Sequence, residues 1–127
     1  MFIDPYSPIP RDQLDGVLDA AELRPGEYFL DLGSGDGRLL LAAAQRGAIS
    51  RGIEIDGELV RKSKAHLSQF ELGIRIEHGD FMRRSWSKFD VVYHQTEKSA
   101  IIEKFHREKN PGARLVLDFG RNLKVVR

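Results

Sequence analysis

The decisive stretch is Asp31-Leu32-Gly33-Ser34-Gly35-Asp36-Gly37-Arg38-Leu39. It follows the apolar run Tyr28-Phe29-Leu30 and leads into Leu39-Leu40-Leu41-Ala42-Ala43-Ala44. That is the pattern of a buried strand passing through a tight glycine turn into a helix. Glycine serves where the backbone needs positive φ, or where a ligand must approach with no Cβ in the way. Three glycines at alternate positions, bracketed by carboxylates, point to a small-molecule site at the end of a strand.

Around this turn the chain alternates strands and helices. Residues 4–10 carry prolines at 5, 8 and 10, which make a stiff, extended lead-in. Pro10 suits the first turn of a helix whose apolar face is Leu14, Val17, Leu18 and Ala21. Glu27 to Leu32 reads as the first strand and Gly37 to about Arg46 as the first crossover helix, with Gly47 at its C-cap. Ile49 to Ile55 reads as a second strand. Val60, Ser63, Leu67 and Phe70 mark one face of a second crossover helix. Ile74 to His78 is a short third strand, Gly79-Asp80-Phe81 a turn, and Phe89 to His94 a fourth strand. Ile101, Ile102 and Phe105 give the inner face of a further helix, with Glu97 expected in its first turn and Lys109 in its last. Ala113 to Phe119 is a fifth strand. This alternation predicts an α/β fold: a doubly wound, mostly parallel sheet with helices on both faces, in one domain spanning 1–127.

Composition bounds the function. Of 127 residues, 41 % are apolar and 31 % charged, as in a globular protein. A net charge of +1 gives no support for a nucleic-acid partner. No cysteine is present, which removes disulfides and thiolate metal sites. No run approaches the roughly 20 apolar residues of a membrane span, and Met1-Phe2-Ile3-Asp4-Pro5 lacks the features of a signal peptide. A cytoplasmic protein with no metal and no membrane partner is the expectation.

Ligands of open parallel sheets bind beyond the carboxyl ends of the strands. Four polar clusters fall there: Asp31 to Gly37, Glu54, Asp80-Phe81, and His94-Gln95. A dinucleotide fingerprint requires G-x-G-x-x-G. Here Arg38 occupies the third glycine's place, and Asp36 would set a carboxylate where a pyrophosphate sits. The turn suits adenosine carrying a cationic or zwitterionic group instead. Asp56 reads as a helix cap. Asp36 has two readings, a salt bridge to Arg38 or a ligand contact.

These residues resemble class I S-adenosylmethionine-dependent methyltransferases, a Rossmann-like family. Asp31 to Gly37 is similar to that family's first motif, Gly52-Ile53-Glu54-Ile55-Asp56 to its acidic loop, and Gly79-Asp80-Phe81 to the motif after the third strand. Phe89 to Tyr93 and Pro111 to Leu115 are similar to its fourth and fifth strands. The resemblance implies S-adenosyl-L-methionine as cofactor, with Asp31, Gly33, Ser34, Gly35 and Gly37 around its methionine part. It further implies Glu54 on the ribose hydroxyls, Asp80 at the adenine amino group, and Phe81 and Ile55 against the ring. The lead-in Pro5-Tyr6-Ser7-Pro8-Ile9-Pro10 resembles the entry segment of compact archaeal and mitochondrial protein-lysine methyltransferases, which places a further cofactor contact at Tyr6. Ile9 stands where that group has a small hydroxyl residue.

The expected activity is methyl transfer to an amine, with a protein lysine as the leading acceptor. RNA or a small molecule is the alternative acceptor, and a non-catalytic cofactor-binding subunit or remnant the alternative role. His94 is the candidate base for the amine proton; the competing reading is a histidine bonded to neighbouring backbone. Tyr93 and Tyr6 are candidates to line an amine channel. His66, His78 and His106 read as surface residues. Arg83-Arg84 and the basic residues of 98–109 are offset by Glu97, Glu103 and Glu108, which favours a solvated face over RNA. Compared with the family, the chain is C-terminally shortened. Leu123 to Val126 is expected to form one more strand, on its own sheet or across a homodimer.

Overall fold

In the computed structural model, residues 9–120 and 122–127 are described, so Tyr6 and most of the proline-rich lead-in lie outside the described residues. Helix α1 (Arg11–Ala20) begins directly after Pro10 and buries Val17 and Leu18. Strand β1 (Tyr28–Leu32) feeds the glycine turn, and α2 (Arg38–Gln45) leaves it. Gly37 belongs to the turn and not to the helix as expected, because its φ of 83° is left-handed. A Cβ there would also lie 2.6 Å from Leu67 Cδ1. Strand β2 (Ile49–Glu54) is followed by α3 (Gly57–Leu67), whose N-terminus is capped by the Asp56 carboxylate. Strand β3 (Ile74–His78) passes through a single 3-10 turn (Phe81–Arg83) and coil into β4 (Val91–Gln95). Helix α4 (Ser99–Glu108) leads to β5 (Arg114–Asp118), and β6 (Leu123–Val126) ends the chain.

Glu97 lies before α4 and not in its first turn. It accepts from Lys124 at 2.6 Å, and the basic residues of the last turn are His106 and Arg107, with Lys109 as the cap.

The sheet order is β3-β2-β1-β4-β5-β6, with every pairing parallel except the last. The reversal of strand order falls between β1 and β4, where an open parallel sheet places its ligand crevice. Side chains alternate across the sheet. Phe29, Val91, Tyr93 and Val116 face α1, α2 and α3, while Leu30, Val92, Leu115 and Leu117 face α4 and Trp86. Trp86 anchors the β3–β4 coil where a crossover helix would otherwise stand. Its indole N–H donates to Phe81 O at 2.9 Å and its backbone N–H to Glu108 at 2.8 Å.

Strand β6 pairs antiparallel with β5 on its own sheet, the first of the two expected arrangements. Among the described residues no helix is long and apolar enough to cross a membrane.

Candidate cofactor and methyl-transfer site

The glycine turn is held from below by β2. The Gly33 and Ser34 N–H groups both donate to Ile53 O, at 2.8 and 3.3 Å. Gly33, Gly35 and Gly37 all have positive φ, so the turn folds as the spacing of its glycines requires. A Cβ on Gly33 would meet nothing within 4 Å, which leaves that part of the turn open to a ligand. Gly52 serves packing instead: a Cβ there would lie 2.6 Å from Ser34.

Glu54 joins the two halves of this rim. One carboxylate oxygen accepts from Gly35 N–H at 2.8 Å and the other from Asp56 N–H at 2.9 Å. Each oxygen keeps a further lone pair, so the carboxylate can hold the turn and still accept from a ligand diol. Ile55, next in sequence, is 72 % exposed and offers an apolar surface at the rim. The His78 ring is exposed, as expected of a surface residue, and its bond through Nε2 to Ile55 O at 3.0 Å fixes that backbone.

Asp31 is 3 % exposed, and no donor among the described residues is bonded to its carboxylate. Burial, then the charges of Glu54 and Asp36, push its pKa up to about 8. A carboxyl group in this state is short of a cation. Asp36 takes the first of its two readings, a salt bridge to Arg38 at 2.6 Å. Arg38 also donates to Ile9 O at 2.9 Å and so ties the glycine turn to the start of α1. The Ser34 hydroxyl is buried and without a partner among the described residues.

Across the crevice, Asp80 caps the 3-10 turn through Met82 N–H at 2.9 Å. The Phe81 ring packs edge-on against His94 with centroids 5.5 Å apart, and lies 6.4 Å from the Trp86 ring. Phe81 is thereby tied to the end of β4 as well as to the turn that Asp80 caps.

Tyr93 is 1 % exposed and its hydroxyl donates to Asp118 at 2.6 Å. Burial and that bond raise its pKa far above the ordinary phenol value. The second Asp118 oxygen accepts from Gly120 N–H at 2.8 Å. The partnership joins residues 25 apart in sequence, and neither composition nor local spacing announces it.

His94 sits at the end of β4 with Nδ1 3.1 Å from Thr96 O. A carbonyl oxygen only accepts, so this bond assigns the ring proton to Nδ1 and leaves a lone pair on Nε2. Burial lowers its pKa, and the backbone bond opposes that in part. Thr96 has a φ of 74°, rare for a β-branched residue, and its N–H donates to Asp118 O at 2.9 Å. Asp118 therefore holds both Tyr93 and the turn on which His94 depends.

These groups are the ones that the resemblance implies for a ligand with a cationic amino-acid part, a ribose and a purine. Asp31 lacks a cation, Glu54 has spare acceptor capacity, Gly33 is open, and Ile55 is bare.

Comparison with known proteins agrees with the geometry. Residues 23–124 match the family described as a methyltransferase domain. The chain is 32 % identical to a protein-L-isoaspartate O-methyltransferase of Methylorubrum populi over 82 % of its length and 50 % of the relative's. It is 29 % identical to a protein-lysine N-methyltransferase of Saccharolobus islandicus over 88 % of its length and 74 % of the relative's. Among solved structures, an RNA methyltransferase of Salinibacter ruber in complex with S-adenosyl-L-homocysteine is similar, with a TM-score of 0.81 and 30 % identity. That match covers 91 % of this chain and 81 % of the other. The chain spans only about half the length of the isoaspartate relative. The fold, the family match and the cofactor-bound neighbour converge: this chain belongs to the methyltransferase-domain family, in the class I, S-adenosylmethionine-dependent fold.

Proposed function

We propose that this chain transfers a methyl group from S-adenosylmethionine to an amine, and that the amine is a lysine of a protein. The observation that carries the acceptor assignment is His94, a buried imidazole whose Nδ1 is committed to Thr96 O and whose Nε2 is left basic at the crevice end of β4. When bound, the cofactor supplies an electrophilic methyl on a sulfonium. The chain's own task is alignment and proton handling. Asp31 would face the cofactor's ammonium, Glu54 its ribose, and Ile55 its purine, with the open backbone of Gly33 and Gly35 between them. His94 Nε2 would take the proton that an alkylammonium must lose before its nitrogen lone pair can attack the methyl carbon. Held in this way, the neutral lysine nitrogen would be aligned to receive that methyl group.

The kinship with a protein-lysine N-methyltransferase over most of both chains supports this reading. The kinship with an RNA methyltransferase supports a second acceptor class. The test is transfer of labelled methyl from the cofactor into a cell lysate, followed by digestion with protease or nuclease. Label released as methyl-lysine after protease treatment is the expected result. Label that vanishes only with nuclease overturns the lysine assignment. Cofactor binding without any transfer shows instead a subunit that needs a partner.

A further inference from the structure

Strand β3 is the edge of the sheet on the side opposite β6. Its inner neighbour β2 bonds to alternate residues: Ser50 N–H donates to Gly73 O, and Gly79 N–H donates to Glu54 O. By that alternation the main-chain groups of Ile76 and His78 and the Ile74 carbonyl turn outward, while the Ile74 N–H donates to Leu72 O at 2.8 Å, and among the described residues no strand pairs with them. Edges of this kind template pairing with another chain unless something covers or repels it.

The surroundings of this edge are chemically two-sided. On the α3 side runs a groove of about 410 Å³ lined by Leu67, Phe70, Leu72 and Ile74, with Lys64 and Arg75 at its margin. Phe70 and Leu72 remain 36 % and 39 % exposed, an apolar exposure that the core does not use. Arg75, which also borders this groove, stands in register with Arg51 of β2. Like charges directly opposite one another on a sheet are destabilising, and burial together with the Arg75 charge lowers the pKa of Arg51. No carboxylate among the described residues pairs with Arg51, Lys64 or Arg75, because Glu77 is already held by Arg84 at 2.6 Å.

We infer that the β3 edge is a docking site for an extended protein segment that adds to the sheet as a further strand and alternates aliphatic with acidic residues. An added strand presents successive side chains to opposite faces. One set would fill the groove beside Phe70 and Leu72, while the other would meet Arg75 and Arg51. Carboxylates match paired guanidinium groups in geometry as well as charge. The inference deepens the protein-substrate reading by naming how a protein partner is held, at a sheet edge apart from the methyl-transfer crevice. It concerns binding alone, which can be measured without cofactor.

The test uses the whole chain and blocked, fluorescently labelled peptides, read by anisotropy. The alternating peptide Glu-Val-Glu-Val-Glu-Val is expected to bind at least tenfold tighter than Glu-Glu-Glu-Val-Val-Val, which has the same composition and the wrong period. Arg75→Glu should weaken the alternating acidic peptide tenfold or more and should create binding for Lys-Val-Lys-Val-Lys-Val, which the unmodified chain refuses. Phe70→Ser should weaken the acidic peptide without reversing its charge preference. Unchanged thermal melting and cofactor binding establish that each variant is folded. Equal affinity for the alternating and block peptides, or an Arg75→Glu variant with unaltered preference, overturns the docking site. Failure of methyl transfer to lysine with the peptide preference intact would count against the proposed function alone.

Discussion

Asp31 is buried beside Glu54 and Asp36, and its pKa rises on folding from 3.8 to about 8. The native chain therefore holds this proton more tightly than the unfolded chain, so the contribution to stability is whole below pH 3.8 and is lost as pH climbs towards 8. Asp31→Asn removes the penalty. The ligand-free variant is expected to melt higher than the parent at pH 8 and alike at pH 4, while losing at least tenfold in cofactor affinity. Thermal melts at the two pH values, with calorimetric titration, read both, and a variant less stable at pH 8 would refute the assignment. In the parent chain, cofactor affinity should rise with pH towards 8, because only the charged carboxylate attracts an ammonium. His94 titrates in the other sense. Its lowered pKa keeps the ring neutral somewhat below the ordinary value of 6.5, so kcat should hold as pH falls past that point. His94→Gln is expected to lower kcat by about 10²-fold or more, the range of a general base, leave the cofactor Kd unchanged, and erase the acid limb of the pH profile. A kcat unmoved by the substitution would leave His94 a structural residue bonded to Thr96. The positions of Asp31 and Glu54 on the rim were legible in the sequence because each lies at or one residue before the end of a strand, two residues from a glycine. The Tyr93–Asp118 bond and the His78 tie to Ile55 were not, since their partners lie 25 and 23 residues away and meet only once the strands pair.

Among the elements, the junction of α1 with the sheet is the one the sequence reading did not contain. Arg114, at the start of β5, donates to Ala21 O and Glu22 O at the end of α1 and pairs with Glu27 at 2.8 Å. Two helix-end carbonyls are satisfied by one buried guanidinium, a task for which its planar, multi-donor head is suited. The bond to Arg114 is also the leading reason that the Glu27 pKa is lowered. Arg114→Met keeps the length and removes the donors. Breaking a buried pair costs about 3–5 kcal/mol, and Glu27 retains 20 % of its side chain in solvent, so the lower end of that range is the expectation in urea denaturation. A loss below about 0.5 kcal/mol, the scale of a surface substitution, would show that α1 is held by its apolar face alone. The hydrophobic period predicted α1 and its inner face correctly, because Leu14, Val17, Leu18 and Ala21 do pack against the sheet. Its fastening was hidden, because Arg114 reads as an ordinary charged residue in an apolar strand until β5 is placed under α1. The bounds of α2 and α4 were each drawn too wide, the first for a local reason and the second for a distant one: Gly37 is left-handed, and Glu97 is drawn to Lys124 on β6.

At the scale of the molecule, the strand alternation was enough to predict a doubly wound sheet, and the C-terminal strand was expected because an apolar fifth strand would otherwise stand at an uncovered edge. Whether it would cover that edge on its own sheet or across a homodimer was not legible, because pairing partners are a property of the assembled sheet. Strand β6 shields β5, whose residues are all buried. Deleting residues 122–127 is expected to bare an apolar edge and to produce higher-order species in sedimentation velocity, where the parent is expected to give one boundary. A truncated chain that sediments as the parent does would mean that β5 needs no cover. The Arg114 fastening also bears on the order in which the chain assembles. Its bond to Ala21 O joins residues 93 apart, so α1, although made before β5, has its anchor supplied only once β5 has followed. A loop of that size is slow to close. During synthesis α1 would therefore lack this anchor until β5 emerges, and it is expected to lock after the strands that precede β5. Hydrogen exchange in pulse-labelled refolding should find α1 amides protected after those of β1 and β2, although α1 precedes both in the chain.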